Sequence, residues 1–269
     1  MDALLAAHPA KAHVERWWLL YTPVWGAITG VVMLGGFAER WGDLPCLLFG
    51  IVVALGALLP LARPHASERA LVWHERTSAK LVVSVLMLSF GLNYVQTPFF
   101  FDVLHMHYGF HVTWTIDRNP VFLYLVTVAY FGTYASLCMI AQRLLRPRIG
   151  VLSWLLAPIA MAFFETVLNA NPWMTRLFCY DELPFMLTFG TLVYAMSFVL
   201  VLPVWMRIDE SRPTPERPSL PMAQLVIAMC AVLFVDRLML DLVEDLLAPL
   251  FTTVVHDAPG LGPGGCLAP

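Results

Sequence analysis

NPVFLYLVTVAYFGTYASLCMIAQ, residues 119–142, runs for 24 residues without an Asp, Glu, Lys or Arg. At 1.5 Å of rise per residue, a helix of that length exceeds the roughly 30 Å hydrocarbon core of a bilayer. Six further stretches lack all four charged types: 17–38, 44–62, 81–101, 149–164, 183–206 and 218–235. The 16 Lys and Arg and the 19 Asp and Glu all fall in the segments between them. Mean hydropathy is +0.71. The pattern predicts an all-α, polytopic membrane helix bundle of about seven transmembrane helices. It excludes a soluble globular enzyme, a disordered chain, a collagen-like fibre and a disulfide-stapled secreted domain. A single integral membrane domain over 1–257 is expected. A flexible Gly- and Pro-rich tail follows at 258–269.

The basic residues alternate in number from loop to loop. Lys11, Arg16, Arg63, Arg69, Arg76, Lys80, Arg143, Arg146, Arg148, Arg207, Arg212 and Arg217 fall on one side of the expected membrane. Arg40, Arg118, Arg176 and Arg237 fall on the other. The positive-inside rule puts the larger group, and the N-terminus, in the cytoplasm, and seven crossings put the C-terminus outside or in a lumen. The first apolar run is itself a span and no cleavable leader is expected. The net charge of −3 includes no basic run that predicts nucleic-acid binding. None of Cys46, Cys138, Cys179, Cys230 and Cys266 forms a CxxC pair, so neither a zinc site nor a redox motif is expected.

Pro23, Pro98, Pro158 and Pro203 lie inside the spans. Each removes a backbone donor and frees a carbonyl that neighbours must satisfy, either as a packing bend or as the opening of a cavity. Most Trp residues sit near span ends, as an interfacial belt predicts.

Hydrogen-bonding chemistry gathers on the side opposite the basic loops. Asn93, Tyr94, Gln96 and Thr97 lie within the third span and must find partners or line a pocket. The following loop carries His105, His107, His111, Trp114 and Asp117, and the fifth loop adds Asn169, Asn171, Asp181 and Glu182. The histidine triplet has no second cluster, so no metal is expected, although proton transfer by histidine is open. Glu165 ends sixteen uncharged residues. An ionisable group at that depth is a functional candidate, or else an interfacial Glu paired with Arg118 or Arg176. The last span runs into Asp236, Arg237, Asp241, Glu244 and Asp245, which predict a short C-terminal amphipathic helix with a wet acidic face. The other reading is an Asp236 or Asp241 that, with Arg237, faces a cavity.

Six elements occur in order across residues 15–250. They are Arg16-Trp17 with Tyr21-Thr22-Pro23-x-Trp25; Trp73-x-x-Arg76-x-x-x-Lys80; Asn93-Tyr94-x-x-Thr97-x-Phe-Phe-Phe; Tyr108-x-Phe110-x-x-x-Trp114; Glu165-Thr166; and Arg207-Ile-Asp209-Glu210. With this hydropathy profile they resemble the cycloeucalenol cycloisomerase family, the cyclopropylsterol isomerases of plant sterol synthesis. The Ala-, Arg- and Pro-rich composition suggests a bacterial member.

The resemblance implies an isomerase (an intramolecular lyase) that opens the 9β,19-cyclopropane ring of a cycloeucalenol-type sterol to a Δ8 sterol. It implies no cofactor and no metal. A general acid protonates C19, aromatic faces stabilise the resulting cation, and a base takes the C8 proton. On this reading Glu165 is the acid, and Asp117 or His107 the base. Asn93, Tyr94, Thr97, Tyr108 and Trp114 bind the sterol, with Asn93 and Tyr94 orienting its hydroxyl or the acid. The histidine triplet departs from the plant pattern, as does Asp117, which stands where that pattern has an amide. The expected partners are the sterol and the lipid bilayer. A non-catalytic sterol- or lipid-binding membrane protein is the first alternative, and a proton-coupled carrier the second.

Overall fold

In the computed structural model, residues 4–215 and 218–246 are described. The tail at 258–269, Arg217 and Cys266 lie outside the described residues. Seven long helices account for most of the chain: α1 (Pro9–Leu34), α2 (Asp43–Ala62), α3 (Thr77–Val95), α5 (Val121–Ile149), α6 (Ser153–Asn169), α8 (Thr191–Arg207) and α9 (Met222–Leu246). Two short ones, α4 (Thr97–Asp102) and α7 (Leu183–Phe185), lie on the connections.

The segment quoted above becomes α5, the centre of the bundle. It packs against α1, α2, α3, α6 and α8, while α9 closes on α3 and α8. Its Tyr134, Ala135, Cys138 and Met139 are fully buried. Helix follows helix almost without interruption over Val121–Asn169, a 49-residue segment. It breaks at Gly150, whose φ of +58° is open to glycine and strained for other residues. The chain turns there into α6. Close approach between α1 and α2 likewise needs a glycine: a Cβ on Gly56 would stand 2.2 Å from the Tyr21 ring.

Five segments are long and apolar enough to cross a membrane: Pro9–Leu34, Asp43–Ala62, Thr77–Asp102, Val121–Asn169 and Leu183–Arg207. The fourth contains two helices, so six long apolar helices meet the requirement, and α9 is not among the five segments. The residues from Asp236 to Asp245 continue α9 without a break, so among the described residues these acidic positions do not start the separate short amphipathic helix expected at this point. Its acidic positions complete the last long helix instead. The all-helical expectation also needs amending by two short antiparallel ladders. β1 (Met106–Tyr108) pairs with β4 (Phe178–Tyr180), and β2 (Thr115–Ile116) pairs with β3 (Asn119–Pro120). The first ties the third loop to the fifth. Pro98 lies within the segment Thr77–Asp102, in the first turn of α4, where its missing N–H costs little. Pro23, Pro158 and Pro203 do lie within helices.

The Tyr21-Thr22-Pro23-x-Trp25 element fastens helices together. Tyr21 Oη donates to the Val53 carbonyl (3.0 Å), Trp17 Nε1 to Gly56 and Trp18 Nε1 to Ala57 (2.9 Å each). Thr22 Oγ1 and Trp25 Nε1 both meet Thr133 Oγ1 on α5, at 2.9 and 3.0 Å. These bonds satisfy polar groups that hydrocarbon could not.

The opposite end of α5 is held by charge. Arg143 is clasped between Glu15, which is fully buried, and the partly exposed Glu210, with Nη2 at 2.6 and 2.9 Å from their oxygens. Lys11, also fully buried, donates to the Trp205 and Ile208 carbonyls and to Glu210 (2.6, 2.8 and 2.8 Å). Lys80 donates to Asp209 at 3.2 Å, and Thr77 and Ser219 add hydroxyl bonds to the same carboxylate. Burial alone would raise both carboxyl pKa values. For Asp209 the Ser219 hydrogen bond and the Lys80 charge outweigh it. For Glu210 the Arg143 bond and the Lys11 charge do so, and both groups stay below the ordinary carboxylate range.

Candidate active site

Between α3, α5, α6 and α8 lies a cavity of about 840 Å³, counted out to its open mouth. Its wall is mostly apolar and aromatic, with Phe100, Phe131, Phe178, Met33, Leu92 and Met186 among its members. A few polar groups interrupt it: Asn93, Gln96, Thr97, Thr127, Glu165 and Asn169, together with the hydroxyls of Tyr108, Tyr130, Tyr180 and Tyr194. An apolar cavity with a small number of polar groups is the general form of a small-molecule site. The β1–β4 ladder lays Tyr108 and Phe178 against it. Their rings meet edge to face at 5.5 Å and pack with Phe101 and Phe110 in the same manner. One π-helical turn, Met186–Gly190, leads into α8 and carries Met186 into the wall.

Glu165 sits one turn before the end of α6, on the side that faces α8. Its Oε2 is out of reach of solvent and has no hydrogen-bond partner among the described residues. The Tyr194 hydroxyl approaches the carboxyl from α8, and Tyr130, Tyr134 and Tyr180 are close enough to feel its charge. Tyr194, Phe198 and Tyr134 pack edge to face behind it. Among the described residues of the wall, Glu165 carries the one carboxyl. Burial pushes the phenols of Tyr108 and Tyr180 upward, which keeps them neutral donors.

The structure brings Glu165, Asn93, Thr97 and Tyr108 together in this wall. Asn93 is fully engaged by protein: Nδ2 donates to Ser89 O and Thr127 Oγ1 (2.8 and 2.7 Å), and Oδ1 accepts from Asn119 (2.8 Å). Its amide therefore shapes the wall. Tyr94 points outward and is exposed. Trp114 is also exposed, in a loop whose Thr113 and Trp114 amides bond the Asp43 carboxylate at 2.7 Å. Asp117 lies outside the wall, in the β2–β3 turn, exposed, with φ of +47° and Arg118 following at +65°. Two consecutive positive φ values mark a type I′ hairpin turn, a conformation Asp tolerates. His107 also lies outside, with its Nε2 at 3.2 Å from Asp181 across the first ladder. Arg118, expected as one possible partner of Glu165, instead clasps Asp102 through two bonds of 2.8 and 2.6 Å. Among the described residues no three His, Cys, Asp or Glu side chains gather as a metal site would require.

The tyrosines around Glu165 were not singled out from sequence. The available signal was position: Tyr130, Tyr134 and Tyr194 fall in mid-span, where a hydroxyl in hydrocarbon needs a partner.

These features define a multi-pass membrane protein with an aromatic-walled cavity that holds, among the described residues, a single carboxyl. No family model and no solved structure matches the chain. It is similar to the cycloeucalenol cycloisomerase of Arabidopsis thaliana, being 30% identical over 222 residues, 77% of each chain. At that identity and coverage, the chain belongs to the cycloeucalenol cycloisomerase family.

Proposed function

We propose that the protein is a sterol isomerase that opens the 9β,19-cyclopropane ring of a cycloeucalenol-type sterol to give the Δ8 sterol. Glu165 transfers its proton to C19 as the C9–C19 bond breaks, so C19 becomes a methyl group and C9 carries the positive charge. Loss of the C8 proton then places the double bond between C8 and C9. The reaction is a net isomerisation, and every hydrogen is accounted for by one gained from and one returned to the protein. Asp117 and His107 lie outside the wall, so the acceptor in this reading is the carboxylate that Glu165 becomes after the first step, the strongest base lining the cavity. Tyr108, Tyr194 and Phe100 offer their rings to the cation, each worth roughly 0.5–2 kcal/mol. Exclusion of water protects the cation from capture.

Glu165 carries the reading: it places a partnerless carboxyl oxygen in an apolar, aromatic cavity in a chain of this family. In the accompanying topology α9 is the seventh crossing, the Arg143–Glu15–Glu210 end is cytoplasmic, and the cavity lies toward the outer leaflet. Purified protein in lipid nanodiscs, incubated with cycloeucalenol and followed by sterol mass spectrometry, tests the activity. A Δ8 product supports it. Recovery of bound but unchanged sterol would make the protein a sterol binder.

A further inference from the structure

Behind the cavity wall, three polar side chains from three helices close a triangle. Gln96 occupies the break between α3 and α4, Ser197 lies on α8 and Asp236 on α9. All three are essentially inaccessible. Gln96 Nε2 donates to Asp236 Oδ2 at 3.1 Å and to Ser197 Oγ, and Ser197 Oγ donates onward to Asp236 Oδ1 at 2.9 Å. Asp236 is not part of the cavity wall; Gln96 is.

The direction of these bonds decides what the cavity meets. A primary amide has two donor hydrogens on nitrogen and an acceptor oxygen. A carboxylate is an acceptor only, so Asp236 draws the nitrogen of Gln96 inward, and Ser197 takes its second hydrogen. The carbonyl Oε1 is left over. It accepts no hydrogen bond among the described residues, and it is absent from the buried atoms that lack a partner. For a side chain this enclosed, the surface left to that oxygen is the cavity. The neighbouring amide, Asn93, has both donor hydrogens and its oxygen engaged by protein. Gln96 thus presents a hydrogen-bond acceptor of fixed orientation, and an acidic residue one shell behind sets that orientation.

We propose that Gln96 Oε1 accepts the hydrogen bond of the sterol's 3-hydroxyl, and that Asp236, with Ser197, is the positioning residue that keeps the acceptor facing the ligand. This rests on the sterol reading above and adds a specificity rule to it. The site selects a ligand that donates a hydrogen at C3 and disfavours the 3-ketone, which can only accept and would meet Oε1 lone pair to lone pair.

The test measures binding, with turnover followed separately. The full chain in lipid nanodiscs is titrated with cycloeucalenol and with its 3-keto counterpart in competition against radiolabelled cycloeucalenol. The wild type is expected to prefer the alcohol by about tenfold, the scale of one hydrogen bond gained against one buried acceptor left unmatched. In Asp236→Asn the amide of Gln96 can turn its nitrogen to the cavity, and the preference is expected to fall to within twofold or to invert. A purely structural role for Asp236 would weaken both ligands together and leave the ratio intact, and that result would overturn the proposal. Gln96→Met provides a second variant should Asp236→Asn not fold: it should weaken the alcohol about tenfold and leave the ketone bound no more weakly than before. Equal wild-type affinity for the two sterols would also overturn it. A tenfold preference without ring opening would defeat the isomerase reading while upholding this one, and ring opening without the preference would do the reverse.

Discussion

Replacing Glu165 by Gln removes the transferable proton and little else. The amide has the size and shape of the acid, and Tyr194 can still donate to its oxygen. The magnitude follows from what else lines the cavity. The remaining polar groups are amides, threonine hydroxyls and the phenols of Tyr108, Tyr130, Tyr180 and Tyr194. A phenol starts from a pKa near 10 against about 4.3 for a glutamic acid, so a tyrosine is a poor substitute donor to an unactivated carbon. General acid catalysis contributes typically 10²- to 10⁴-fold. With no second carboxyl in the wall among the described residues, the variant should lose at least a hundredfold in turnover, about 2.7 kcal/mol of barrier. The assay is sterol mass spectrometry on protein in nanodiscs, with binding of cycloeucalenol measured alongside and expected to change less than threefold. Run in heavy water, the wild type should deliver one deuterium into the new C19 methyl group, raising the product mass by one. Turnover by Glu165→Gln within threefold of the wild type would refute the assignment.

Further predictions concern residues away from the acid. Asp117→Asn suits the type I′ turn as well as Asp does, so turnover should stay within twofold and the melting temperature should not fall; a hundredfold loss would return Asp117 to the role of base. Arg143→Met strands the fully buried Glu15 without its guanidinium, leaving the Ala6 amide as its donor. Breaking such a pair costs about 3–5 kcal/mol, readable as a lowered denaturant midpoint, and a loss under 1 kcal/mol would contradict the buried clasp. Acid should loosen the same end of the bundle in two stages. His8 has its pKa lowered, by burial first, so the unfolded chain takes up a proton before the folded one as pH falls through about 6.5, and stability starts to decline. Asp209 and Glu210 have lowered pKa values, so their contribution is complete above the ordinary carboxylate pKa near 4. It disappears as pH falls through their lower folded values. Melting temperatures in detergent from pH 8 to 3 check both stages, and Asp209→Asn should flatten the second. A wild-type curve flat to pH 3 would rule the mechanism out.

The spans were legible because hydrocarbon imposes a simple rule on composition: charge is excluded for about twenty residues at a time. All seven uncharged stretches became long helices, including the last, whose acidic end the sequence assigned to a separate element. The reason for that miss is Asp236. A carboxylate after eighteen uncharged residues looks like the point where a helix meets water, yet Ser197 and Gln96, 39 and 140 residues away in the chain, bond it inside the bundle. No local pattern contains that information. The turn around Asp117 was hidden for a different reason. Asp and Arg at positive φ leave no composition signal comparable to Asn-Gly, so a hairpin residue passed for a candidate base.

The six sequence elements that carried the family resemblance divide once the structure is known. Tyr21-Thr22-Pro23-x-Trp25 fastens α1 to α2 and α5, and Lys80 and Arg207-Ile-Asp209-Glu210 belong to the charged end of the bundle. Asn93, Thr97, Tyr108 and Glu165-Thr166 line the cavity. The first set joins helices, through aromatic and hydroxyl hydrogen bonds on α1 and through buried ion pairs at the charged end, a requirement that any helix bundle in lipid must meet. The second set is where chemistry can differ between relatives. Similarity in the fastening elements supports a shared fold, whereas a shared reaction depends on the handful of wall residues, above all on Glu165 and the donors and acceptors around it. A relative with every fastening element but a different residue at position 165 should therefore keep this architecture, bind a sterol-sized ligand and fail to open its ring. A Glu165→Gln protein with unchanged helix content by circular dichroism and intact sterol binding is the direct counterpart of that relative, and collapse of the fold in this variant would show that the division drawn here is mistaken.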